Sequence, residues 1–478
     1  PVAHAAQETV KEIRVETDYY IALFTTQGAR LKSFTLKHYR TSVGEKSPPF
    51  EMISPTPGVP YPLGIQLPGT PPLTDEALIY SIQGGNLKLT GDSKGKLIFQ
   101  GQSPAGVKLT KEFTFAGSSY PIQLELSVEG TDKNPSPGLL LSSDGNNKGA
   151  AQDAVFEGLL ALVNNKIKRE PTEEIKNGKE FSGPVSWAGF GYTYFLFAVL
   201  PENGAEQKLA VKQIGPGLVM DIAVQAGTKD AGKSRYALFI GPKELNTLKA
   251  MEKGLEQSID FGYFGFVAMP FLYVMHFSHR FTGSYGIDII LLTILIKLIL
   301  APLTHKSFVS MKRMQKLQPQ MERIKEKFKE DKEKMNKEIM ELYRRNKVNP
   351  LGGCLPMLLQ FPVFIGLYNA LLTPIELRHA PFMWIKDLSR PDWESLPFTL
   401  GGWTLGVPIL TLLMGASMFL QQWMTPSAGD PNQRRMMLMM PVIFTAMFVT
   451  FPAGLTIYWL VNNVLSIAQQ YLINRMEQ

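Results

Sequence analysis

The chain has 478 residues, of which 45% are hydrophobic and 19% charged, and its formal net charge is +7. Such averages are typical of a soluble protein of two or three domains, but here they combine two unlike halves. Residues 1–258 carry 27 Lys or Arg and 27 Asp or Glu, whereas residues 350–375, 395–429 and 436–474 carry no Asp, Glu, Lys or Arg. Because a spanning helix needs about 20 largely apolar residues, the averages do not exclude a membrane protein, and the second half is predicted to lie in a membrane.

Residues 1–258 are predicted to form an all-β domain, a large sandwich of many short strands. Alternating apolar and polar residues, bounded by Gly, Pro, Asn and Asp, mark the strands. The clearest of these segments are 12–16, 20–24, 111–115 and 122–128, and the Pro-rich stretches 48–72 and 135–147 are expected to be long loops.

The chain has one cysteine, Cys354, so it can form no intramolecular disulfide. Cys354 falls in an apolar segment and is expected to be a small packing residue. The topology derived below places residues 1–258 outside the cytoplasm, and a domain in that position needs an export signal. The residues from Pro1 onward contain no basic start followed by an apolar core. We therefore expect an N-terminal signal anchor to precede this sequence.

The basic charge is concentrated in one segment, 305–349, which has 14 Lys or Arg and 7 Asp or Glu. Short basic loops remain in the cytoplasm, so this segment is predicted to lie inside. Five crossings then satisfy every charged loop, with residues 1–258 outside and the C-terminus inside. They are expected at about 283–304, 350–373 and 405–424, and twice within 436–474, where Pro452-Ala453-Gly454 breaks a stretch too long for one crossing.

A sixth apolar stretch, 261–279, would reverse this topology if it also crossed the membrane. The segment 259–282 is therefore predicted to be an amphipathic helix on the outer surface. An apolar hinge packed under the outer domain is the alternative. The expected organisation is a domain at 1–258, this helix at 259–282, the first conserved crossing at 283–304, a cytoplasmic hairpin at 305–349, and four further membrane helices with their loops at 350–478.

Lys297 interrupts the apolar run from Ile289 to Leu303. A charge near the centre of a bilayer costs ~2.5–3.5 kcal/mol, so such residues usually face a wet cavity and indicate a functional site. The nearest carboxylate in the same helix, Asp288, lies nine residues earlier, about 13.5 Å along the axis, and the other four crossings contain no carboxylate. Water or polar side chains must therefore solvate the ammonium.

Polar residues suited to this purpose occur in several crossings and predict a groove that opens to the cytoplasm. They are Thr293, Gln360, Gln421, Gln422, Asn462, Asn463, Ser466, Gln469 and Gln470. Two simpler interpretations remain open. Lys297 could extend to the nearby interface, because its long stem can carry the ammonium towards water. The amides could also join helices by hydrogen bonds.

The basic segment 305–349 is predicted to be an antiparallel helical hairpin with its turn near Glu330 and Asp331. Its apolar residues recur at helical spacing: Met311, Met314, Leu317, Met321, Ile324, Phe328, Met335, Ile339 and Leu342. A face rich in adaptable methionines suits either a purely structural hairpin or the recruitment of variable apolar clients.

Signals for an enzyme are sparse. The sequence has no phosphate-binding loop, no H-E-x-x-H pattern and no dinucleotide fingerprint, so we expect no enzymatic activity, cofactor, metal site or direct small-molecule substrate. A secondary transporter that binds an anionic solute at Lys297 is the main alternative, although no internal repeat supports it. A sugar-binding envelope protein with a passive anchor would not explain Lys297.

Several motifs in residues 260–475 resemble the YidC/Oxa/Alb family of membrane protein insertases. They are the run 349–371, Leu317-Gln318-Pro319-Gln320, the turn at Asp430-Pro431, Pro441–Phe444 and Phe451–Tyr458. The outer β domain is similar to that of the Gram-negative members. In the family a single positive residue, usually Arg, lies in a cytoplasm-facing hydrophilic groove that receives the client. Lys297 occupies its position, keeping the charge but losing the forked guanidinium.

The resemblance implies an inner-membrane insertase and chaperone. Its partners would be nascent membrane proteins, the ribosome, membrane lipids and, as a further candidate, the Sec translocon. Thr293, Phe364 and Tyr458 match positions that the family uses along the groove. With the polar candidates, the predicted groove residues are Lys297, Thr293, Gln360, Phe364, Gln422, Tyr458 and Asn462, and the predicted client-recruiting residues of the hairpin are Met311, Met314, Met321, Phe328, Glu330 and Asp331.

Overall fold

The computed structural model describes residues 9–476 except 45, 68–72, 131–136, 146–154, 176, 203–206, 215–218, 226–231, 347, 349–354, 401–402 and 426–430. Cys354, Asp430, the start of the 349–371 motif and parts of both predicted long loops lie outside the described residues. The chain divides into two compact units, Pro1–Ile259 and Asp260–Gln478. The predicted order, an all-β region followed by a helical region, is confirmed.

In the described part of the first unit, nearly all of the regular secondary structure consists of strands. In chain order, β1 to β20 are Glu12–Glu16, Tyr20–Thr25, Arg30–Arg40, Pro49–Ile53, Gly64–Leu67, Leu73–Thr74, Ser81–Gln83, Leu87–Lys88, Lys94–Gln102, Lys108–Ala116, Ile122–Glu129, Gly138–Leu141, Phe156–Val163, Lys166–Glu170, Lys179–Gly183, Val185–Tyr192, Phe195–Pro201, Gln207–Ile214, Val219–Gln225 and Lys233–Pro242. Two short helices, α1 (Thr172–Ile175) and α2 (Leu245–Lys249), accompany them.

The described strands of the first unit form three sheets. The largest has nine strands in the order β14-β13-β16-β17-β20-β11-β10-β9-β7, the second has six in the order β15-β18-β19-β12-β5-β6, and the third has five in the order β4-β3-β2-β1-β8. Neighbouring strands are antiparallel except β1 and β8. Alternation along β10 buries Leu109, Phe113 and Phe115 on one face, as the period of two residues requires. Phe24 of β2 packs against this face, with its ring 4.9 Å from that of Phe113.

The same alternation carries Lys111 into the core of the first unit, where its side chain is 0% exposed. Its Nζ lies 2.7 Å from Asp75 Oδ2 and donates to the carbonyls of Gly28 at 2.6 Å and Leu63 at 2.7 Å. Burial lowers the pKa of Lys111 to about 8, and the Asp75 carboxylate opposes that shift. Lys111 thus connects strand β10 to three loops through acceptors that satisfy all three of its N–H groups.

The second unit is helical. Its helices are α3 (Gly265–Thr282), α4 (Tyr285–Lys316), α5 (Gln318–Lys327), α6 (Lys332–Arg345), α7 (Leu355–Leu372), α8 (Ile409–Met424), α9 (Pro431–Phe448) and α10 (Ala453–Met476), and a small hairpin is formed by β21 (Pro397–Leu400) and β22 (Trp403–Gly406). The break between α9 and α10 lies at Pro452, where the sequence predicts it. Among the described residues, α4 alone is long and apolar enough to cross a membrane, and shorter apolar helices occur at Gln360–Leu372, Ile409–Met424 and Leu438–Phe448.

Helix α4 is longer than the sequence analysis expects. It runs for 32 residues, about 48 Å at 1.5 Å per residue, and continues through 305–316, which the sequence analysis assigns to the hairpin. Met311 and Met314 therefore lie on α4 rather than on a separate helix, and the cytoplasmic position of 305–316 stays a prediction. No strong helix breaker follows Pro302 until Gln318-Pro319, where Pro319 occupies the first turn of α5, a position that proline tolerates.

Candidate functional site

Lys297 of α4 reaches α10. Its Nζ donates to Ser466 Oγ at 2.6 Å and lies 3.5 Å from Asn462 Oδ1. Further along the same two helices, Thr304 Oγ1 lies 3.2 Å from Gln469 Oε1. Lys297 and Asn462 are 165 residues apart in sequence, as are Thr304 and Gln469, so α4 and α10 run parallel in a fixed register.

The partners of Lys297 are neutral. Among the residues that the structure describes, no carboxylate lies within 4.0 Å of its ammonium. An ammonium has three N–H donors, and the hydroxyl and the amide oxygen account for two of them, the amide at the long limit of a hydrogen bond. Because these partners are neutral, they do not neutralise the positive charge of Lys297. Because the side chain is only partly buried, the charge remains accessible to a ligand or to water.

The other polar residues of α10 contact two more helices. Asn463 Nδ2 donates to Ser417 Oγ of α8 at 3.0 Å, and Gln470 Nε2 donates to Thr425 Oγ1 at 3.1 Å. Tyr458 OH accepts from Gln360 Nε2 of α7 at 3.1 Å. Helix α10 is thus joined by side-chain hydrogen bonds to α4, α7 and α8, which is the role that the alternative of interhelical bonding assigns to these amides.

The predicted groove residues are therefore only partly brought together. Lys297 meets Asn462, and Gln360 meets Tyr458. Thr293 is buried on α4 and donates to the carbonyl of Ile289 at 2.6 Å, while Gln422 lies half-buried on α8. The roles of these residues in a groove remain predictions.

Phe364 belongs to an aromatic cluster rather than to the polar contacts around Lys297. Its ring lies 5.2 Å from that of Trp459 at an interplanar angle of 89°, the edge-to-face arrangement that aromatic pairs favour. Phe448 of α9 lies 5.2 Å from the same tryptophan. The cluster packs α7, α9 and α10 together on apolar contacts.

The N-terminal end of α4 carries a different charged site, which the sequence analysis missed. Asp288 is 0% exposed and accepts hydrogen bonds from Ser278 Oγ at 2.6 Å and Thr282 Oγ1 at 2.7 Å, while His279 Nδ1 lies 2.7 Å from its other oxygen. The His279 ring stacks on Tyr285, 3.8 Å between centroids. These contacts join the end of α3 to the first turn of α4, where the helix dipole also favours a carboxylate.

A second histidine of α3 makes a similar contact with the loop after α7. His276 Nε2 lies 3.0 Å from Glu376 Oε1, and both side chains are largely buried. Helix α3 is therefore held by two histidine–carboxylate pairs. The opposite side of α3 exposes Phe266, Phe277 and Phe281, an arrangement typical of a helix that lies in a membrane interface.

Helices α5 and α6 pack through a small core of Leu317, Met321, Tyr343 and Val348, against which Met314 also packs. Met321 is therefore buried, and its Sδ accepts from Tyr343 OH at 3.2 Å. At the turn, Asp331 Oδ1 caps α6 by accepting from the backbone N–H of Lys334. Phe328 is half-buried between Lys327 and Lys334, whose Nζ atoms lie 5.4 and 5.6 Å from its ring.

Family comparisons cover both units. The model described as "YidC periplasmic domain" matches residues 12–274, and the one described as "60Kd inner membrane protein" matches residues 277–478. This chain belongs to the YidC family. The chain contains both the YidC periplasmic domain and the inner-membrane domain, as the sequence resemblance predicts.

Relatives in the YidC family match over almost the whole chain. The membrane protein insertase YidC of Syntrophus aciditrophicus is 42% identical over 98% of this chain and 86% of its own length. That of Pelobacter propionicus is 41% identical over 98% and 87%. A crystal structure of an active YidC insertase with its first transmembrane domain resolved is 21% identical, covers 97% of this chain and 93% of its own, and has a TM-score of 0.42.

Proposed function

We propose that this chain is a membrane protein insertase and chaperone of the inner membrane, and that it acts without enzymatic chemistry. The observation that supports this most is the environment of Lys297: a positive charge on an apolar helix whose described partners are one hydroxyl and one amide oxygen. A lysine buried for structure alone is usually paired, as Lys111 is with Asp75. A positive charge with spare capacity suits a transient, acidic ligand.

The proposed topology has five crossings formed by α4, α7, α8, α9 and α10, with α5 and α6 in the cytoplasm and the β unit in the periplasm. Exposed apolar side chains on these helices support it, because apolar surface of this extent on a soluble protein would be a liability. On α4 they are Leu291, Leu295, Leu298 and Ile299, and on α9 they are Met436, Met439, Val442 and Ile443.

In the proposed mechanism the polar segment of a nascent membrane protein enters a groove that opens to the cytoplasm beside Lys297. The groove shortens the path of that segment through hydrocarbon, and the client's apolar helix then moves into lipid. Transfer of apolar surface supplies about 25 cal/mol per Å². The membrane potential adds about 2.3 kcal/mol per charge per 100 mV, so no nucleotide is required.

The proposed partners are nascent inner-membrane proteins, the ribosome that synthesises them, membrane lipids and the Sec translocon. In this scheme the hairpin of α5 and α6 recruits clients. Because Met321 is buried in the hairpin core, the recruiting surface would be the hairpin tip, with half-buried Phe328 and exposed Glu330 and Asp331, together with the exposed Met340 of α6.

The groove can be tested by labelling single cysteines in a Cys354→Ser background. Gln360→Cys and Gln422→Cys should react with a membrane-impermeant thiol reagent applied from the cytoplasmic side. Leu298→Cys is the matched control: it is one residue from Lys297 and 66% exposed on the apolar side of α4, where a thiolate cannot form. Protection at both glutamine positions in folded protein would contradict a water-filled groove and favour a dry polar bundle.

The hairpin can be tested separately. Deleting the tip residues 329–331 should slow insertion at limiting protein concentration while leaving the labelling of Gln360→Cys and Gln422→Cys unchanged. Undiminished insertion would exclude a recruiting role. Loss of labelling would instead indicate that the hairpin is needed to form the groove.

A further inference from the structure

The register of α4 and α10 determines where the Lys297 ammonium lies. Asn462 is at the same level as Lys297, since this pair has the same sequence separation as Thr304 and Gln469. Ser466 lies one turn, about 6 Å, further towards the C-terminal end of α10. The short hydrogen bond of Lys297 is to Ser466, so the lysine side chain extends about one helical turn towards the C-terminal end of α10 and its ammonium lies at the level of Ser466.

We propose that Ser466 is a positioning residue that sets the depth of the Lys297 charge. Its hydroxyl accepts from Lys297 Nζ at 2.6 Å and donates to the carbonyl of Asn462 at 2.7 Å, so the hydroxyl hydrogen is engaged and a lone pair faces the lysine. Ser466 is 3% exposed. Its orientation is therefore fixed by its own helix.

Two tendencies compete for the lysine. A long cationic side chain in an apolar environment extends to the nearest membrane interface. The predicted inner end of the crossing, at Thr304, is only about 10 Å from Lys297 along α4. The Ser466 hydroxyl provides an acceptor before that level is reached. Without it, Asn462 Oδ1 at 3.5 Å is the remaining described acceptor, and it is too distant to hold the ammonium strongly.

Helix α8 provides a control serine, Ser417, that matches Ser466 closely. On α8, Ser417 Oγ donates to the carbonyl of Met414 at 2.6 Å and accepts from Asn463 Nδ2 of α10 at 3.0 Å. Both serines thus donate to their own helix and accept one N–H from a neighbour. Ser417→Ala removes one hydrogen bond between helices without touching Lys297, whereas Ser466→Ala removes the lysine's short one.

The test measures the acylation rate of Lys297 by mass spectrometry. The full chain in sealed vesicles is treated with a membrane-impermeant amine reagent from the side that bears the hairpin, and exposed Lys306 is the internal reference. Ser466→Ala should raise the rate at Lys297 about tenfold, which corresponds to ~1.4 kcal/mol. Ser466→Thr, which retains a hydroxyl, and Ser417→Ala should leave it near the parent value. An unchanged rate in Ser466→Ala, or an equal rise in Ser417→Ala, would overturn the proposal.

The consequence for clients rests on the proposed function and is measured separately. Ser466→Ala should slow the insertion of a client with an acidic translocated segment several-fold more than that of a matched neutral client, with recovery in Ser466→Thr. If labelling changes as expected while both clients insert normally, Ser466 positions Lys297 and the proposed role of the lysine in insertion is wrong. The two failures are therefore distinguishable.

Discussion

The β unit and the helical unit each take a lysine out of solvent, but they treat its charge differently. Lys111 is fully buried, and Asp75 and backbone carbonyls complete its hydrogen bonds. Lys297 is partly buried and has a hydroxyl and an amide oxygen as its described partners. The charge of Lys111 is neutralised and its hydrogen-bond donors all have partners, so this lysine stabilises the fold and has no donor left for a ligand. The charge of Lys297 retains capacity for a ligand.

The network around Lys111 shows how completely the first unit satisfies a buried charge. Asp75 also accepts from Tyr80 OH at 3.0 Å and from the backbone N–H of Ile65 at 2.9 Å, and Arg30 Nη2 lies 3.4 Å from it. A network of this kind stabilises most when it is intact, because removing one member leaves the remaining buried groups with too few partners.

The largest expected effect is therefore on stability at Lys111. Lys111→Ala leaves the Asp75 carboxylate with a weakened set of partners and should cost ~3–5 kcal/mol. Hydrogen exchange of the β10 amides in the full chain measures this, with Lys108→Ala, exposed on the same strand, as the control. A loss below about 1 kcal/mol, the range of surface ion pairs, would contradict the structural role assigned to this lysine.

Asp288 provides an intermediate case, because it is a fully partnered charge on the same helix as Lys297. Asp288→Asn weakens contacts to Ser278, Thr282 and His279 and should cost ~1.5–3 kcal/mol, the usual value of hydrogen bonds to a charged group. Faster hydrogen exchange in the last turn of α3 would show this loss of stability. Asp331→Asn, at an exposed helix cap, should leave α3 unchanged. If α3 exchanges normally in Asp288→Asn, this carboxylate does not hold it in place.

The smallest stability effect is expected at Lys297. Lys297→Met replaces a charge that has neutral partners with an apolar side chain of similar length, so stability should change by less than ~1 kcal/mol. Thermal unfolding of the helical unit, monitored through hydrogen exchange of the α10 amides, measures the change in stability. A loss as large as that of Lys111→Ala would mean that both lysines are structural, and the contrast between the units would disappear.

Much of this contrast can be predicted from the sequence, but not the partners. Lys297 is conspicuous because its neighbours are apolar, and the same pattern predicts its helix. The alternation Leu109, Lys111, Phe113, Phe115 would have placed Lys111 on the buried face of β10, yet nothing in the sequence connects it with Asp75. Such pairs depend on which strands and loops meet in the fold, and local periodicity does not encode that.

The same limit applies to the helices. Ser466 is one of several polar residues that the sequence marks as candidate partners of Lys297, and only the register between α4 and α10 selects it as the short contact. The contacts of His276 and His279 depend on how α3 meets its neighbours, which spacing along the chain does not reveal. The apolar run ends at Leu303 but α4 continues to Lys316, because charged residues continue a helix readily and the end of an apolar run does not mark the end of a helix.

The central claim is that Lys297 acts on clients through its charge, and vesicle insertion of an acidic-tailed client tests it most directly. At equal amounts of folded protein, Lys297→Arg should retain insertion, because it keeps the charge. Lys297→Ala should slow it by about 10-fold or more, the value of losing one charge-assisted hydrogen bond. Lys297→Glu should be slower still, and a matched neutral client should be much less affected. If Ala and Glu both match the parent for the acidic client, the lysine only extends to the interface and the electrostatic account is wrong.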